Sequence, residues 1–86
     1  MNFEFDPAKS DSNKIKHGLD FVEAQALWDG EVFKSPAISF AEPRQLVVGK
    51  IEGKHWTAVI TERGVKIRII SVRRSRDKEI EIYENR

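Results

Sequence analysis

The chain contains no cysteine, and this absence removes several kinds of site at once. There is no disulfide framework, no thiolate zinc centre and no cysteine nucleophile, so a reducing compartment, the cytoplasm, is the expected location. Long apolar runs are also missing, because stretches such as Leu46-Val47-Val48 are far too short to span a bilayer. The first six residues lack the basic flank and apolar stretch of a signal peptide. We therefore expect no membrane association.

Proline and glycine are scarce, with 3 and 5 residues among 86, which excludes collagen-like and low-complexity chains. A hydrophobic share of 40% beside a charged share of 34% is typical of a folded, soluble domain. Two separate cores would leave each half near the size of roughly 40 residues below which domains seldom fold unaided. Residues 1–86 are therefore expected to form a single domain.

Acidic side chains are absent from one segment of the second half. The net charge is only +1, but residues 1–43 carry −4 and residues 44–86 carry +5. Six basic side chains and no acidic one lie in the segment 63–76, namely Arg63, Lys66, Arg68, Arg73, Arg74 and Arg76. Such a local density of positive charge favours a polyanionic partner.

The first elements are predicted from alternation and from capping residues. Residues 2–5 alternate like a short strand with one buried face. Asp6 and Pro7 are typical of a helix start, and Gly18 can adopt the left-handed conformation that ends a helix at His17. A second helix is predicted from Asp20, with Glu23 completing an Asp variant of the capping box. Its apolar stripe consists of Phe21, Ala24, Leu27 and Trp28.

The remaining chain reads mainly as strands. Residues 31–40 form a predicted edge strand, because Pro36 interrupts them. Residues 45–52, 54–61 and 65–72 are then joined by tight turns into an antiparallel meander. Ser75 is the predicted cap of a final helix through about Glu84, although residues 79–83 also alternate like a strand. The expected fold is α+β: a meander plus an N-terminal strand, packed by two N-terminal helices and a C-terminal helix.

The last strand of the meander has two faces of different composition, because side chains alternate along a strand. Strict alternation places Ile67, Ile69 and Ser71 on one face, with Arg68 and Val72 on the other. Since both faces are then partly apolar, the strand is expected to lie inside the sheet. Its basic side chains would consequently be held on a rigid element.

Several chemistries have no support in the sequence. His17 and His55 stand 38 residues apart without other ligand spacing, so neither a metal nor another cofactor is expected. The glycines are scattered rather than gathered in a phosphate-binding loop. For a single arginine such as Arg68, the simplest interpretation is an ion pair with Glu62 or Glu23. For the whole basic cluster we favour polyanion binding, since a phosphate requires several donors around one point.

The histidines and aromatic residues have both structural and functional interpretations. His17 is explained as a cation at a helix C-terminus and His55 as a strand surface residue, yet either imidazole is also suited to proton transfer. Trp28, Trp56 and Tyr83 are more typical of a core than of a base-stacking platform. Trp56 is the best exception, because its strand neighbours the basic strand.

Taken together, these segments resemble the BrnT toxins of bacterial type II toxin–antitoxin pairs, a family with a RelE-like ribonuclease fold. The resemblance covers nearly the whole chain and depends on the order and spacing of several short motifs. They are Phe3-Glu4-Phe5-Asp6-Pro7-Ala8-Lys9, Asn13, Lys16-His17-Gly18, Phe21, Glu23-Ala24, Thr61-Glu62-Arg63-Gly64, Ile67-Arg68-Ile69-Ile70-Ser71 and Arg73-Arg74.

The resemblance implies a small, metal-independent endoribonuclease that halts growth. Its chemistry would be attack of a ribose 2′-hydroxyl on the adjacent phosphate, with Arg68, Arg73, Arg74, Glu62 and His17 as candidate catalytic residues. The candidate substrate-binding residues are Arg63, Lys66, Trp56 and Tyr83. The implied partners are RNA and a BrnA-like antitoxin, whose ribbon-helix-helix part would bring the toxin to operator DNA.

Two other functions remain open at the level of sequence. The basic strand could only dock the phosphates of DNA or RNA without cutting them. Alternatively, it could accept an acidic or extended antitoxin segment, which would cover the arginines that RNA needs.

Overall fold

The computed structural model describes residues 1–37 and 43–86, which form an α+β fold around one five-stranded sheet. The order of the strands across the sheet is β1-β5-β4-β3-β2. The elements in chain order are β1 (Asn2–Glu4), α1 (Pro7–His17), a 3₁₀ helix (Glu23–Asp29), β2 (Phe33–Ala37), β3 (Arg44–Ile51), β4 (Lys54–Arg63), β5 (Lys66–Arg74) and α2 (Asp77–Glu84).

The sheet is mixed rather than wholly antiparallel. Strands β2 to β5 form the predicted antiparallel meander, and β5 lies inside the sheet as expected. Strand β1 pairs with β5 in parallel, with Glu4 opposite Arg68. The purely antiparallel prediction was therefore wrong for β1. A strand that returns to its neighbour through a long connection rather than a hairpin is free to pair in parallel.

Helix α1 has the predicted start and end. The Asp6 carboxylate accepts a hydrogen bond from the Ala8 amide at 2.9 Å, and Gly18 adopts a left-handed φ of 87° while its amide bonds to the Lys14 carbonyl. The buried side of the helix is polar, because Ser10 and Asn13 are the residues that turn inward. Both side chains form buried hydrogen bonds: the Ser10 hydroxyl accepts one from the Phe21 amide at 2.9 Å, and Asn13 bonds to the backbone of Val72.

The predicted second helix is present, but it begins at Glu23 rather than Asp20 and is a 3₁₀ helix over Glu23–Asp29 instead of the α-helix that its apolar stripe indicated. The predicted capping box does exist, since the Glu23 amide bonds to the Asp20 carboxylate and the Asp20 amide to the Glu23 carboxylate. The buried residues Phe21, Ala24 and Leu27 recur every three positions. A helix with three residues per turn places Ala24 and Leu27 on the same side, and Phe21, in the turn before the helix, joins the same core.

Two further boundaries differ from the prediction. The edge strand β2 contains Pro36 as expected, but it spans Phe33–Ala37: Glu31 and Val32 are not part of the strand, and residues 38–40 lie outside the described residues. The C-terminal segment is helical, so the alternative of a last strand was wrong. Its cap is Arg76 rather than Ser75. The Ser75 hydroxyl instead bonds to Thr57 at 2.8 Å.

A β-bulge in β5 overturns the predicted alternation of its side chains. Val59 pairs with Ser71 and Ile60 pairs with Ile69, which leaves Ile70 as an extra residue between them. Because one extra residue reverses the alternation, Val72 joins Ile69 on the buried face instead of facing away from it. Arg68, Ser71 and Arg73 consequently share the other face.

One face of the sheet, which we call the core face, holds the hydrophobic core. Strand residues Val47, Ala58, Ile60, Ile69 and Val72 pack there against the 3₁₀ helix and the segment before it. Helix α2 packs on the opposite face at the end that carries His55 and Thr57. Among the described residues, no helix is long and apolar enough to cross a membrane.

Candidate active site on the basic face

Several basic side chains project from the face opposite the core, and we call the surface formed by five of them the basic face. Its members are Arg44 on β3, Arg63 on β4, and Lys66, Arg68 and Arg73 on β5. Strand pairing sets this arrangement: Arg63 lies opposite Lys66, Thr61 opposite Arg68 and Thr57 opposite Arg73. Helix α2 covers one end of the face, where Arg73 lies. The side chains of Arg63 and Arg68 remain 51% and 33% exposed, so a ligand can reach them.

Arg68 lies in the middle of the basic face and beside Glu4. Its guanidinium is 3.8 Å from the Glu4 carboxylate, and the Arg63 guanidinium is 3.9 Å from the same oxygen. The expected ion pair of Arg68 with Glu62 or Glu23 was therefore wrong in its partner. Both distances exceed normal hydrogen-bond lengths. The contact with Glu4 orients the Arg68 guanidinium without saturating its donors.

Arg63 and Lys66 flank the tight turn between β4 and β5. The turn consists of Gly64 and Val65, one residue later than the sequence indicated, and Gly64 has a φ of 60°. Glycine adopts this left-handed conformation without steric cost, which allows a two-residue connection. The turn therefore fixes two basic residues directly opposite each other at the edge of the basic face.

The Arg73 guanidinium forms a bidentate ion pair with the Glu79 carboxylate on α2. Both guanidinium–carboxylate distances are 2.8 Å, and Glu79 also accepts hydrogen bonds from Thr57 and from the Arg76 amide. The hydrogen bonds from Arg73 lower the pKa of Glu79 from 4.5 to about 2, with smaller contributions from Arg76 and Thr57. The same pair raises the pKa of Arg73. This network fastens the start of α2 to the sheet.

The other end of α2 is fastened by His55 and Tyr83. His55 contacts the Glu84 carboxylate at 2.6 Å and packs edge-on against the Tyr83 ring. The Tyr83 hydroxyl donates to the Glu31 carbonyl, and the Arg86 guanidinium lies 3.9 Å above the Tyr83 ring. Since the tyrosine is only 5% exposed, the structure places this predicted substrate-binding residue in a packed position.

Three other predicted site residues lie on the core side of the sheet. Glu62 accepts a hydrogen bond from Gln45 at 2.7 Å and lies 3.7 Å from Lys34. Arg74 lies opposite Trp56, with its guanidinium 5.5 Å from the indole ring, and Trp56 is 8% exposed within the core. The structure therefore does not bring these three residues together with Arg68.

His17 is the last residue of α1 and is exposed. In residues 1–37 and 43–86, no hydrogen bond or ion pair joins it to the basic face. The structure thus brings together Arg63, Lys66, Arg68 and Arg73 from the predicted set and leaves His17 apart.

Two residues of this surface were missed by the sequence reasoning. Arg44 stands outside the basic run, and only the pairing of β3 with β4 places it on the same face. Its Nε atom is buried, and the described residues offer it no hydrogen-bond partner. Glu4 reaches the site because β1 pairs with β5. Alternation indicated that Glu4 faces away from Phe3 and Phe5, but no local pattern indicates which strand lies beside it.

The described part of the chain contains no group of three His, Asp or Glu side chains placed to hold a metal ion. The chemistry of the basic face is instead that of guanidinium and ammonium donors, with the Glu4 carboxylate beside them. Such donors stabilise negative charge on phosphate oxygens.

The fold and the basic face together define a class: a small α+β domain whose sheet presents a cationic surface suited to a polyanion. The family model of the "Ribonuclease toxin, BrnT, of type II toxin-antitoxin system" matches residues 5–79. The chain therefore belongs to the BrnT family of ribonuclease toxins, and the resemblance found in the sequence is confirmed. A comparison with curated proteins found no match. Membership of a type II toxin–antitoxin family implies RNA as the substrate and an antitoxin as the partner.

Proposed function

We propose that the basic face is the surface that cuts RNA, and that it does so without a metal ion. The supporting observation is the convergence of Arg44, Arg63, Lys66 and Arg68, from three adjacent strands, on one side of the sheet. Rigid strands hold these donors in place, so little conformational freedom is lost when a phosphate binds.

In the proposed reaction a ribose 2′-hydroxyl attacks the neighbouring phosphorus and the 5′-oxygen leaves. The products are an RNA with a 2′,3′-cyclic phosphate and an RNA with a 5′-hydroxyl. Arg68 stabilises the pentacoordinate phosphorane, since it is central, half-exposed and only loosely paired with Glu4. Arg63, Lys66 and Arg44 position the flanking backbone. Among the predicted donors, Arg73 has an indirect role, because its guanidinium is occupied by Glu79.

We assign His17, Glu62 and Arg74 no step in this reaction. Each of them lies away from Arg68 or on the core side of the sheet. Trp56 and Tyr83 are likewise packed rather than presented for base stacking. These five residues remain predictions that individual substitutions can test.

The proposed antitoxin is BrnA-like, with a ribbon-helix-helix part that binds operator DNA and carries the toxin with it. It neutralises the toxin in the cytoplasm by covering the basic face. Antitoxin and RNA then compete for the same arginines. A purified complex that binds RNA as tightly as the free chain would contradict this shared surface.

Cleavage of RNA by the purified chain in excess EDTA tests the enzymatic proposal. We expect cyclic-phosphate products from the parent and a rate lower by roughly 100- to 1000-fold for Arg68→Ala, by analogy with loss of one oxyanion-hole donor. Lys54→Ala is the matched control, because Lys54 is exposed and begins β4 at the opposite end from Arg63. Cleavage that requires added divalent metal, or that survives Arg68→Ala undiminished, contradicts the proposal.

A protein that only docks nucleic acid gives a different result in the same assay. It binds RNA without forming products, and the affinity falls steeply with salt while several basic residues contribute alike. A catalytic surface is distinguished by one arginine that controls turnover with little effect on binding.

A further inference from the structure

The proposed site holds donors for the phosphate, but the reaction also needs a group that removes the proton of the 2′-hydroxyl. Of the proton-transfer candidates from the sequence, His17 and Glu62 are not on the basic face. His55 is held beneath α2 by the Glu84 carboxylate and the Tyr83 ring. Among the described residues, the structure places two carboxylates against arginines of this face, Glu4 and Glu79. These two carboxylates are therefore the candidates for the proton acceptor.

Glu79 has no free capacity to accept a proton from the substrate. One of its oxygens is bonded to Arg73, Thr57 and the Arg76 amide, and the other is bonded to Arg73. Its side chain is only 14% exposed. Protonating this carboxylate breaks the attachment of α2, so Glu79 is suited to holding the fold together.

Glu4 has the opposite properties. Its side chain is 28% exposed, and its closest described ion-pair distances, to Arg68 and Arg63, are 3.8 and 3.9 Å. These lengths leave room for a hydroxyl to approach the carboxylate. Strand β1 is fixed beside β5 by the pairing of Glu4 with Arg68, so the carboxylate has a defined position next to the phosphate-binding guanidinium. A general base must lie within hydrogen-bond reach of the proton that it removes.

We propose that Glu4 is the general base of this ribonuclease, an inference that rests on the proposed function of the basic face. A phosphate bound by Arg68 and Arg63 brings its 2′-hydroxyl to the Glu4 carboxylate. The carboxylate accepts the hydroxyl proton as O2′ forms its bond to phosphorus. The bond from phosphorus to the 5′-oxygen then breaks, and the leaving oxygen takes a proton from water. Glu4 returns its proton to solvent after the products leave.

Glu4 lies one residue before the segment that the family model matches, so the assignment rests on the geometry of the basic face and not on that match. In this assignment the short strand β1 positions the general base beside Arg68, in addition to pairing with β5. In the free protein Glu4 partly neutralises Arg68 and Arg63. The competing explanation is that this neutralisation is its whole role, which makes it a positioning residue.

A pH–rate profile of RNA cleavage in EDTA, measured for the parent and for Glu4→Gln, separates these roles. The charged groups that face Glu4 are Arg63 from β4 and Lys66 and Arg68 from β5, and none of them is a carboxylate. An acid limb in the parent profile is therefore expected from the carboxylate. We expect Glu4→Gln to cleave at least about 100-fold more slowly and to lack that limb.

Binding and folding controls complete the experiment. An RNA with a 2′-deoxy residue at the cleavage position should bind Glu4→Gln at least as well as the parent, because a negative charge next to the phosphate has been removed. Glu4→Asp retains a carboxylate and should keep the acid limb at a reduced rate. Glu81→Gln, an exposed change on α2, should match the parent. Unchanged circular dichroism spectra would show that the variants are folded.

The possible failures are distinguishable. If the parent cuts no RNA in EDTA, the proposed function of the basic face is wrong, and the proposed role of Glu4 is wrong as well. If the parent cuts RNA and Glu4→Gln cuts equally fast, only the assignment of Glu4 is overturned. A slower Glu4→Gln that retains the acid limb also overturns it, since Glu4 then acts by orienting Arg68.

Discussion

Arg68 and Arg73 project from the same face of β5, although they are five residues apart. Regular alternation would place residues five apart on opposite faces, but the bulge residue Ile70 reverses it between them. The two arginines nevertheless have different surroundings. Arg68 is 33% exposed and lies 3.8 Å from the Glu4 carboxylate, whereas Arg73 is 22% exposed and forms a 2.8 Å ion pair with Glu79. The same face therefore carries Arg68, which is available to a ligand, and Arg73, which attaches α2 to the sheet.

Lysine substitutions should separate these two roles. Arg68→Lys is expected to keep the circular dichroism spectrum and a melting temperature near the parent's, yet to lose most toxicity, because a point charge cannot replace the planar guanidinium fork. Arg73→Lys should lower the melting temperature, since one ammonium cannot make both bonds to Glu79. Toxicity on induced expression and thermal melts check both. A fully toxic Arg68→Lys would move the phosphate-stabilising role to another donor of the basic face, and an unfolded Arg68→Lys would show that Arg68 is needed for the fold.

The Arg73–Glu79 pair predicts a loss of stability in acid. The pKa of Glu79 is about 2 in the folded protein against a reference value of 4.5, so the unfolded state binds a proton first as the pH falls. The stabilisation is fully present above about pH 4.5 and is lost between about 4.5 and 2; its size is about 3 kcal/mol. Glu79→Gln should remove this part of the acid dependence of the unfolding free energy.

Urea unfolding near pH 6 and near pH 3 measures that dependence. The difference in unfolding free energy between the parent and Glu79→Gln should be smaller at the lower pH. The reason is that the Glu79 carboxylate of the parent becomes protonated in the unfolded chain. Glu81→Gln is the control, since Glu81 is exposed on the same helix. An equal gap at both pH values would mean that the ion pair does not stabilise the fold.

Asn13 should be essential for the attachment of α1. Its amide nitrogen donates to the Leu19 and Val72 carbonyls at 2.7 and 2.8 Å, and its oxygen accepts from the Val72 amide at 3.2 Å. It thereby occupies both backbone groups of Val72, a residue of β5 beyond the three-residue pairing with β1. Asn13→Ala leaves buried groups unsatisfied and should lower the unfolding free energy by about 2 to 4 kcal/mol. Ser12→Ala, exposed on the same helix, should change it little in chemical denaturation.

Gly49 should not tolerate a side chain, because β3 lies close to the 3₁₀ helix there. A Cβ atom on Gly49 would come within 2.9 Å of the Leu27 side chain and 3.3 Å of the Val32 side chain. Leu27 is fully buried and has little room to move. Gly49→Ala should therefore cost about 1 to 3 kcal/mol of stability. A methyl group added at Gly30 would meet nothing within 4 Å, so Gly30→Ala is the comparison in the same unfolding assay.

Local signals predicted the parts of the fold that depend on neighbours in sequence. Helix α1 begins after Asp6 and ends before Gly18 as predicted, and the predicted capping box of Asp20 and Glu23 is present. The antiparallel meander was predicted from its tight turns. The period of three in Phe21, Ala24 and Leu27 was visible, but it was interpreted as an α-helical stripe. That interpretation failed because the difference between three and 3.6 residues per turn is small over seven residues.

The features that the sequence did not reveal depend on distant partners. The parallel pairing of β1 places Glu4 beside Arg68, and no local pattern specifies the neighbour of an isolated strand. The bulge at Ile70 is equally hidden, since the apolar run Ile69-Ile70 fits either alternation. The sequence revealed the basic residues of segment 63–76 as a candidate site. Only the pairing of β4 with β5 shows which of them lie on the basic face and which lie on the core side.

Mapping of an uncleavable RNA on the isotopically labelled chain by NMR tests the central claim most directly. The RNA carries 2′-deoxy residues throughout its central part, so that binding proceeds without cleavage. We expect the amide signals of Lys66 to Arg68, and those near Arg44, to shift with saturation, while signals of the 3₁₀ helix on the core face stay unchanged. Shifts confined to the 3₁₀ helix and to the core side of β4 would contradict a ribonuclease site on the basic face.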